Sequence, residues 1–169
     1  PMRDRERVEK MWEYVEDGTV DLISSDHSPH SKESKSVDDI LDAPGGFPGT
    51  ELMLPLMLDQ VNKRKLTLNR LVEMLSITPA KIFDVHPRKG SMELGSDADL
   101  TIINMDKERI IKAENLLTHT AQSAHIYENL TLRGWPEYTI LRGEVIALQG
   151  QVNEEYKGVG RRIEASDNK

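Results

Sequence analysis

The residues of this chain with the types and spacing to do chemistry are Asp26, His27 and His30, at the end of Val20-Asp-Leu-Ile-Ser-Ser-Asp26-His27-Ser-Pro-His30. A carboxylate so placed can hold a divalent cation through one oxygen and take a proton from a bound water through the other. Pro29 stiffens the turn between the two imidazoles. A surface turn, with Asp26 as its cap and both histidines solvated, fits the spacing equally well, because these three residues alone do not complete a zinc site.

The elements that must position them come first in the chain. Val8, Met11, Trp12 and Val15 fall at helical spacing within Arg5 to Asp17, giving one apolar face, and Gly18 closes that helix. Val20, Leu22 and Ile23 then have the β-branched content of a buried strand, predicted over Val20 to Ser25. In parallel α/β folds reacting groups gather where such strands end. Asp26, His27 and His30 would stand there.

From Ser31 to Gly49 the chain turns polar and irregular, ending in Ala43-Pro-Gly-Gly-Phe-Pro-Gly49, a long loop beginning beside the candidate site. Gly45 and Gly46 can bring bare backbone close to a ligand, although Gly-Pro clusters commonly just turn chains. Thr50 to Lys65 reads as a largely buried helix that Pro55 should kink or restart. Its Leu52 to Leu58 stripe is core. Thr67 can cap the next helix, where Leu68, Leu71, Val72 and Leu75 repeat the spacing, and Thr78-Pro79 reads as an N-cap with proline in first place.

After Pro87 the period changes. Turn signals at Lys89-Gly90 and Gly95 to Asp99 flank short strands over Leu100 to Ile103 and Arg109 to Ile111. Thr139 to Leu141 and Val145 to Leu148, joined by Arg142-Gly143-Glu144, read as a hairpin. The expected division is 1–87, mainly helical, then 88–150, mainly β, then a loosely held polar tail over 151–169.

Composition narrows the function classes. At 169 residues the chain can bury a real core, and a start at Pro1 within a helix lead-in suggests a piece of a longer protein. It has no cysteine, which removes a thiol nucleophile and disulfides. The net charge of −7 argues against a nucleic-acid surface, and no apolar run reaches the membrane-spanning length of about 18 residues. Lys63-Arg64-Lys65 and Arg161-Arg162 are explained by a solvated helix end and a charged tail. His86, His119 and His125 fit no ligand-pair spacing and read as structural. No phosphate-binding glycine loop, serine elbow or Cys-His pair is present.

Read together, several blocks resemble the C-terminal part of a cyclic amidohydrolase, with dihydroorotases closest in pattern. They are Pro1-Met2-Arg3, Asp17 to Asp21, Ser25-Asp26-His27-Ser28-Pro29-His30, Pro44-Gly-Gly-Phe-Pro-Gly-Thr-Glu51, Leu54-Pro55-Leu56, Thr78 to Phe83, Lys89-Gly90 and Gly95 to Leu100. The match runs in order over roughly residues 1 to 148. The Asp-His-Ser-Pro-His pentad and the Pro-Gly-Thr-Glu block are specific, whereas the Gly95 to Leu100 block is common to the superfamily.

The resemblance implies an α/β fold: the C-terminal part of a (β/α)8 metal-dependent hydrolase barrel, a TIM barrel, plus part of a small β-sandwich. It implies a zinc-dependent hydrolase of a cyclic amide, foremost dihydroorotate in pyrimidine biosynthesis, with allantoinase and hydantoinase as alternatives and a non-catalytic scaffold as the reading from another class. Asp26 corresponds to a metal ligand at strand eight that is also the catalytic base. His30 corresponds to the residue that binds the substrate carboxylate, and Pro44, Gly45 and Gly46 to the substrate-facing loop. His27 belongs to the motif without being a ligand. The other metal ligands of such enzymes precede this stretch and are absent, so zinc should be held weakly or not at all by this chain alone. Its expected partners are the small cyclic amide and the missing N-terminal half of the barrel, without nucleic acid or membrane, in a cytoplasmic homo-oligomer. Ser28 stands where dihydroorotases commonly have Ala, and resembles allantoinases instead.

Overall fold

The computed structural model describes residues 3–165. Pro1 and Met2 of the first motif, and the last four residues of the tail, lie outside the described residues.

Helix α1, Arg5–Glu16, starts at Asp4, whose side chain accepts from the Arg7 N–H at 3.0 Å, and ends where Gly18 takes φ +89°. Its Val15 and Trp12 turn inward, joining a cluster of Leu58, Leu66, Leu71 and Met74. The strand predicted over Val20 to Ser25 does not form. A strand exists only by pairing, and here the polar groups of Val20 are spent elsewhere. Its N–H donates to the Tyr14 carbonyl at 3.0 Å, and its carbonyl accepts from the Arg70 guanidinium. Val20 and Ile23 still pack against the α1 cluster, so the apolar run is read correctly as inward-facing.

Within the long loop a single turn of helix, α2, Lys32–Lys35, is capped by Ser31. Helix α3, Thr50–Asn62, then runs unbroken through Pro55, against the expectation of a restart. The only helical bond Pro55 forfeits is the one to the Glu51 carbonyl, near the start of the helix, and the ring itself is buried. Thr67 caps α4, Leu68–Val72, as predicted, accepting from the Arg70 N–H at 3.1 Å. Thr78 is not a cap. The chain passes from α4 through a wide π-turn, Glu73–Ile77, into α5, Thr78–Ile82, and the Thr78 N–H reaches back to the Glu73 carbonyl. Pro79 has no N–H to give, and the wider turn absorbs the gap without ending the helix.

The second half is one antiparallel sheet in the order β1-β2-β3-β4: Leu100–Ile110, Thr131–Leu141, Glu144–Leu148 and Gln151–Val152. Among the described residues it forms one layer. The two short strands expected at Leu100 and Arg109 are one, with register shifts after Ile102 and between Asn104 and Glu108. Asn104 makes the joint possible, because its side chain accepts from the N–H groups of Asp106 and Lys107 and closes a local turn inside the strand. Arg142 (φ 51°) and Gly143 (φ 88°) make the predicted hairpin, and Gln149 (φ 53°) with Gly150 (φ 88°) repeats it into β4, which the sequence reading left in the tail.

Helix α3 lies on β2. Gly134 permits that approach: at φ +105° it has no side chain, and a Cβ there would stand 2.7 Å from Leu58 Cβ. Asn62 donates to the carbonyls of Met105 (3.0 Å) and Arg133 (2.8 Å), and buried Asp59 accepts from the Arg133 N–H at 3.2 Å. Lys89 bridges Asp97 and Asp99, and Asp99 accepts from the Arg142 N–H at 2.8 Å, so the Gly95 to Leu100 block fastens the sheet's entry to its hairpin. Hydrogen bonding by Lys89 is the largest cause holding the Asp97 carboxyl below the usual range. The described part of the tail, expected to be loose, is tied by Tyr156 to Glu144 (2.9 Å) and by Arg142 to the Val159 carbonyl (2.9 Å). No helix of the described residues is long and apolar enough to cross a membrane.

Between β1 and β2 lies a segment to which the sequence assigned no element. It forms three short 3-10 turns, Ala113–Asn115, Ala121–Ser123 and His125–Tyr127. Glu128 closes it, accepting from the Ala113 N–H at 2.7 Å, and that bond, followed by the Lys112 ammonium, lowers the Glu128 pKa. A carboxyl whose pKa is depressed by folding contributes stability above its unfolded pKa and loses it as the pH falls through the folded one. Denaturation midpoints measured on acidification should therefore fall less steeply in Glu128→Gln than in the parent. Equal slopes would show that this bond carries no linkage.

Candidate functional site

Asp26 sits on the irregular segment between α1 and α2, not at the end of a strand, and it does so in the left-handed region at φ 45°. Its carboxylate is exposed and, among the described residues, has no hydrogen-bond partner. Aspartate is one of the few residues that tolerate this conformation.

His27 is turned away from such a role. Its Nδ1 accepts from the N–H groups of Gly49 (3.1 Å) and Thr50 (3.3 Å), the first donors of α3. It therefore carries a lone pair and serves as a side-chain cap for a helix whose own N-cap residue, Gly49, has none to offer. Loss of that cap in His27→Ala should cost about 1 kcal/mol, read as a lower denaturant midpoint. An unchanged midpoint would remove the capping role.

His30 is half-buried and held at both ends. Its Nε2 is 3.2 Å from Ser28 Oγ, and its main-chain carbonyl accepts from Ser123 Oγ at 2.6 Å. The loop from Pro44 to Gly49 is pressed against this segment. The Ser28 N–H donates to the Phe47 carbonyl at 3.2 Å, and a Cβ on Gly46 (φ +122°) would stand 2.5 Å from the Ser28 side chain. At Gly49 a Cβ would meet the Ser25 carbonyl at 2.7 Å. Glycine at 46 and 49 is thus what lets the two strips of chain touch. The Lys35 ammonium takes the Gly46 carbonyl, and Phe47 packs edge-on to Tyr127 at 5.9 Å.

Pentad and glycine loop are thus brought together. His86, His119 and His125 are not drawn into a ligand set, since among the described residues no three His, Cys, Asp or Glu side chains could share a metal ion. Asp26 offers one open carboxylate, so the chain fits one ligand of a metal site and not the whole of it. Sequence reasoning missed Ser123 and Lys35, since a lone hydroxyl and a loop lysine carry no pattern. Only the tertiary contact reveals them.

The sequence profile of the amidohydrolase family matches residues 2–146. The chain belongs to the amidohydrolase family. It is 38% identical to an L-hydantoinase of Paenarthrobacter aurescens, covering 96% of this chain and 36% of that protein. It is 36% identical to a dihydroorotase of Methanosarcina acetivorans, covering 99% of this chain and 36% of that protein. Among solved structures, an L-hydantoinase (dihydropyrimidinase) from Arthrobacter aurescens superposes with a TM-score of 0.81 at 36% identity, over 90% of this chain and 34% of that one. The chain spans about a third of the length of these relatives. It is an α/β chain with part of an amidohydrolase fold.

Proposed function

We propose that this chain is the Asp26 wall of a hydrolase that opens a cyclic amide, with dihydroorotate as the first substrate to try. The observation that carries the reading is the open, unpartnered Asp26 carboxylate in a left-handed turn, flanked by a half-buried imidazole and a glycine loop. Hydrolysis of a ring amide needs a base for the attacking water and a proton for the departing nitrogen. Asp26 would do both in turn, taking the proton on a carboxylate oxygen and returning it.

His30 would meet a carboxylate on the ring. The N–H groups of Gly45 and Gly46, which donate to nothing among the described residues, would meet its carbonyl edge. Zinc, held by Asp26 and by residues outside this chain, would polarise the amide carbonyl. The hydantoinase reading is favoured by the L-hydantoinase relative and by its superposition. The working protein is proposed to be a cytoplasmic homo-oligomer.

The test is a ring-opening assay on the longest polypeptide that contains this chain, with dihydroorotate, allantoin and a hydantoin in parallel. Opening of dihydroorotate supports the first reading, and opening of a hydantoin alone replaces it with the second. No turnover of any ring, in zinc-loaded protein, would leave the scaffold reading.

A further inference from the structure

We infer that Ser123 is a positioning residue for His30, through which the segment between β1 and β2 sets how the protein receives a ring carboxylate. The inference rests on the reading of His30 given above and concerns a residue no part of that reading uses. His30 lies on a stretch without ladder or helix, so nothing regular fixes its backbone. What fixes it comes from far along the chain: the Ser123 hydroxyl donates to the His30 carbonyl at 2.6 Å across 93 positions of sequence.

Ser123 is itself immobilised. It is 4% exposed, its N–H donates to the Thr120 carbonyl at 2.8 Å, and the next residue, Ala124, is fully buried in the cluster formed by Leu52, Ile111, Tyr127, Leu132 and Trp135. A buried hydroxyl has to be hydrogen-bonded, and this one is satisfied by the backbone of a half-buried imidazole at the candidate site. The other end of His30 is held by Ser28 at Nε2. Ser123 thus fixes the backbone from which the imidazole projects and Ser28 restrains the ring, so a ligand that it meets pays less to order it. The segment between β1 and β2 thereby takes part in substrate reception.

The test uses the full-length protein with Ser123→Ala, comparing dihydroorotate with dihydrouracil, the same ring without its carboxylate. We expect KM for dihydroorotate to rise about tenfold, equivalent to about 1.4 kcal/mol, with kcat retained and KM for dihydrouracil unchanged. A purely structural role would move both substrates together and lower the thermal midpoint. Should Ser123→Ala fold poorly, Ser123→Cys keeps nearly the same volume with a weak donor, and the same split is expected from it. An unchanged KM for dihydroorotate, or equal changes for the two rings, overturns the inference while leaving the hydrolase reading intact. If the parent opens a hydantoin alone, the dihydroorotate reading fails and this inference falls with it, and only a parent that opens no ring at all removes the hydrolase reading as well.

Discussion

Asp26→Asn in the full-length protein is expected to lower kcat for ring opening by about a hundred- to ten-thousandfold, with no change in the thermal midpoint. The two halves of that expectation come from separate observations. Asparagine enters the left-handed region as readily as aspartate, so the φ of 45° at this position is kept without strain. The carboxylate is exposed and unpartnered among the described residues, so its loss removes no stabilising contact. What asparagine cannot do is accept a proton. Asp26→Ala would mix the two effects, because alanine at that φ is strained. Stopped assays and a melting curve on the same preparation check the prediction, and an asparagine variant with undiminished kcat would remove Asp26 as the base.

The largest stability effect is expected at Leu58→Ala, about 2–5 kcal/mol, and toward the upper part of that range. Leu58 has 0% of its surface exposed, at the place where α3 crosses β2. The cost of such a cavity depends on whether the walls can close over it. Here they cannot readily do so. Asn62 and Asp59 fasten the far end of α3 to the strand backbone at Met105 and Arg133, and Gly134 already brings the sheet to contact distance. Gly134→Ala should also destabilise, since its Cβ would fall 2.7 Å from Leu58 Cβ at a φ of +105°. Alanine at 58 keeps that same Cβ. The double variant should therefore show no mutual rescue, and a denaturant series finding it more stable than Leu58→Ala alone would show that the helix can shift on the sheet after all.

How much of this was legible in the sequence follows from the range of the forces involved. Gly18 after α1, Thr67 before α4 and Arg142-Gly143 in the hairpin act within a few residues of themselves, and their roles could be read directly. Val20 to Ser25 has the composition of a strand, but pairing is a property of two segments. Arg70, far along the chain, takes the carbonyl that a ladder would need. Thr78-Pro79 looked like a helix start because local pattern does not say whether a preceding helix will widen to pass a proline. β1 looked like two strands because Asn104 closes a turn inside it. At the site, the pentad and the glycine loop were readable as motifs, but their contact through Gly46 and Gly49 emerges only in the folded chain. The second anchor of His30 was not, since Ser123 acquires its meaning only from where the 3-10 turns deliver it.

The left-handed turn at Asp26 also bears on how the proposed chemistry could be lost. A single base change in an aspartate codon reaches asparagine and glycine, and both accept the turn, whereas the alanine, valine, tyrosine and glutamate that are equally near are disfavoured there by the clash of their side chains with the backbone. Inheritance would therefore filter substitutions at this position by shape before activity is ever tested. A descendant that had become a non-enzymatic copy should carry asparagine or glycine at position 26 with the neighbouring His27 cap still in place, and such a pairing would mark a protein kept for its surface after its catalysis was gone.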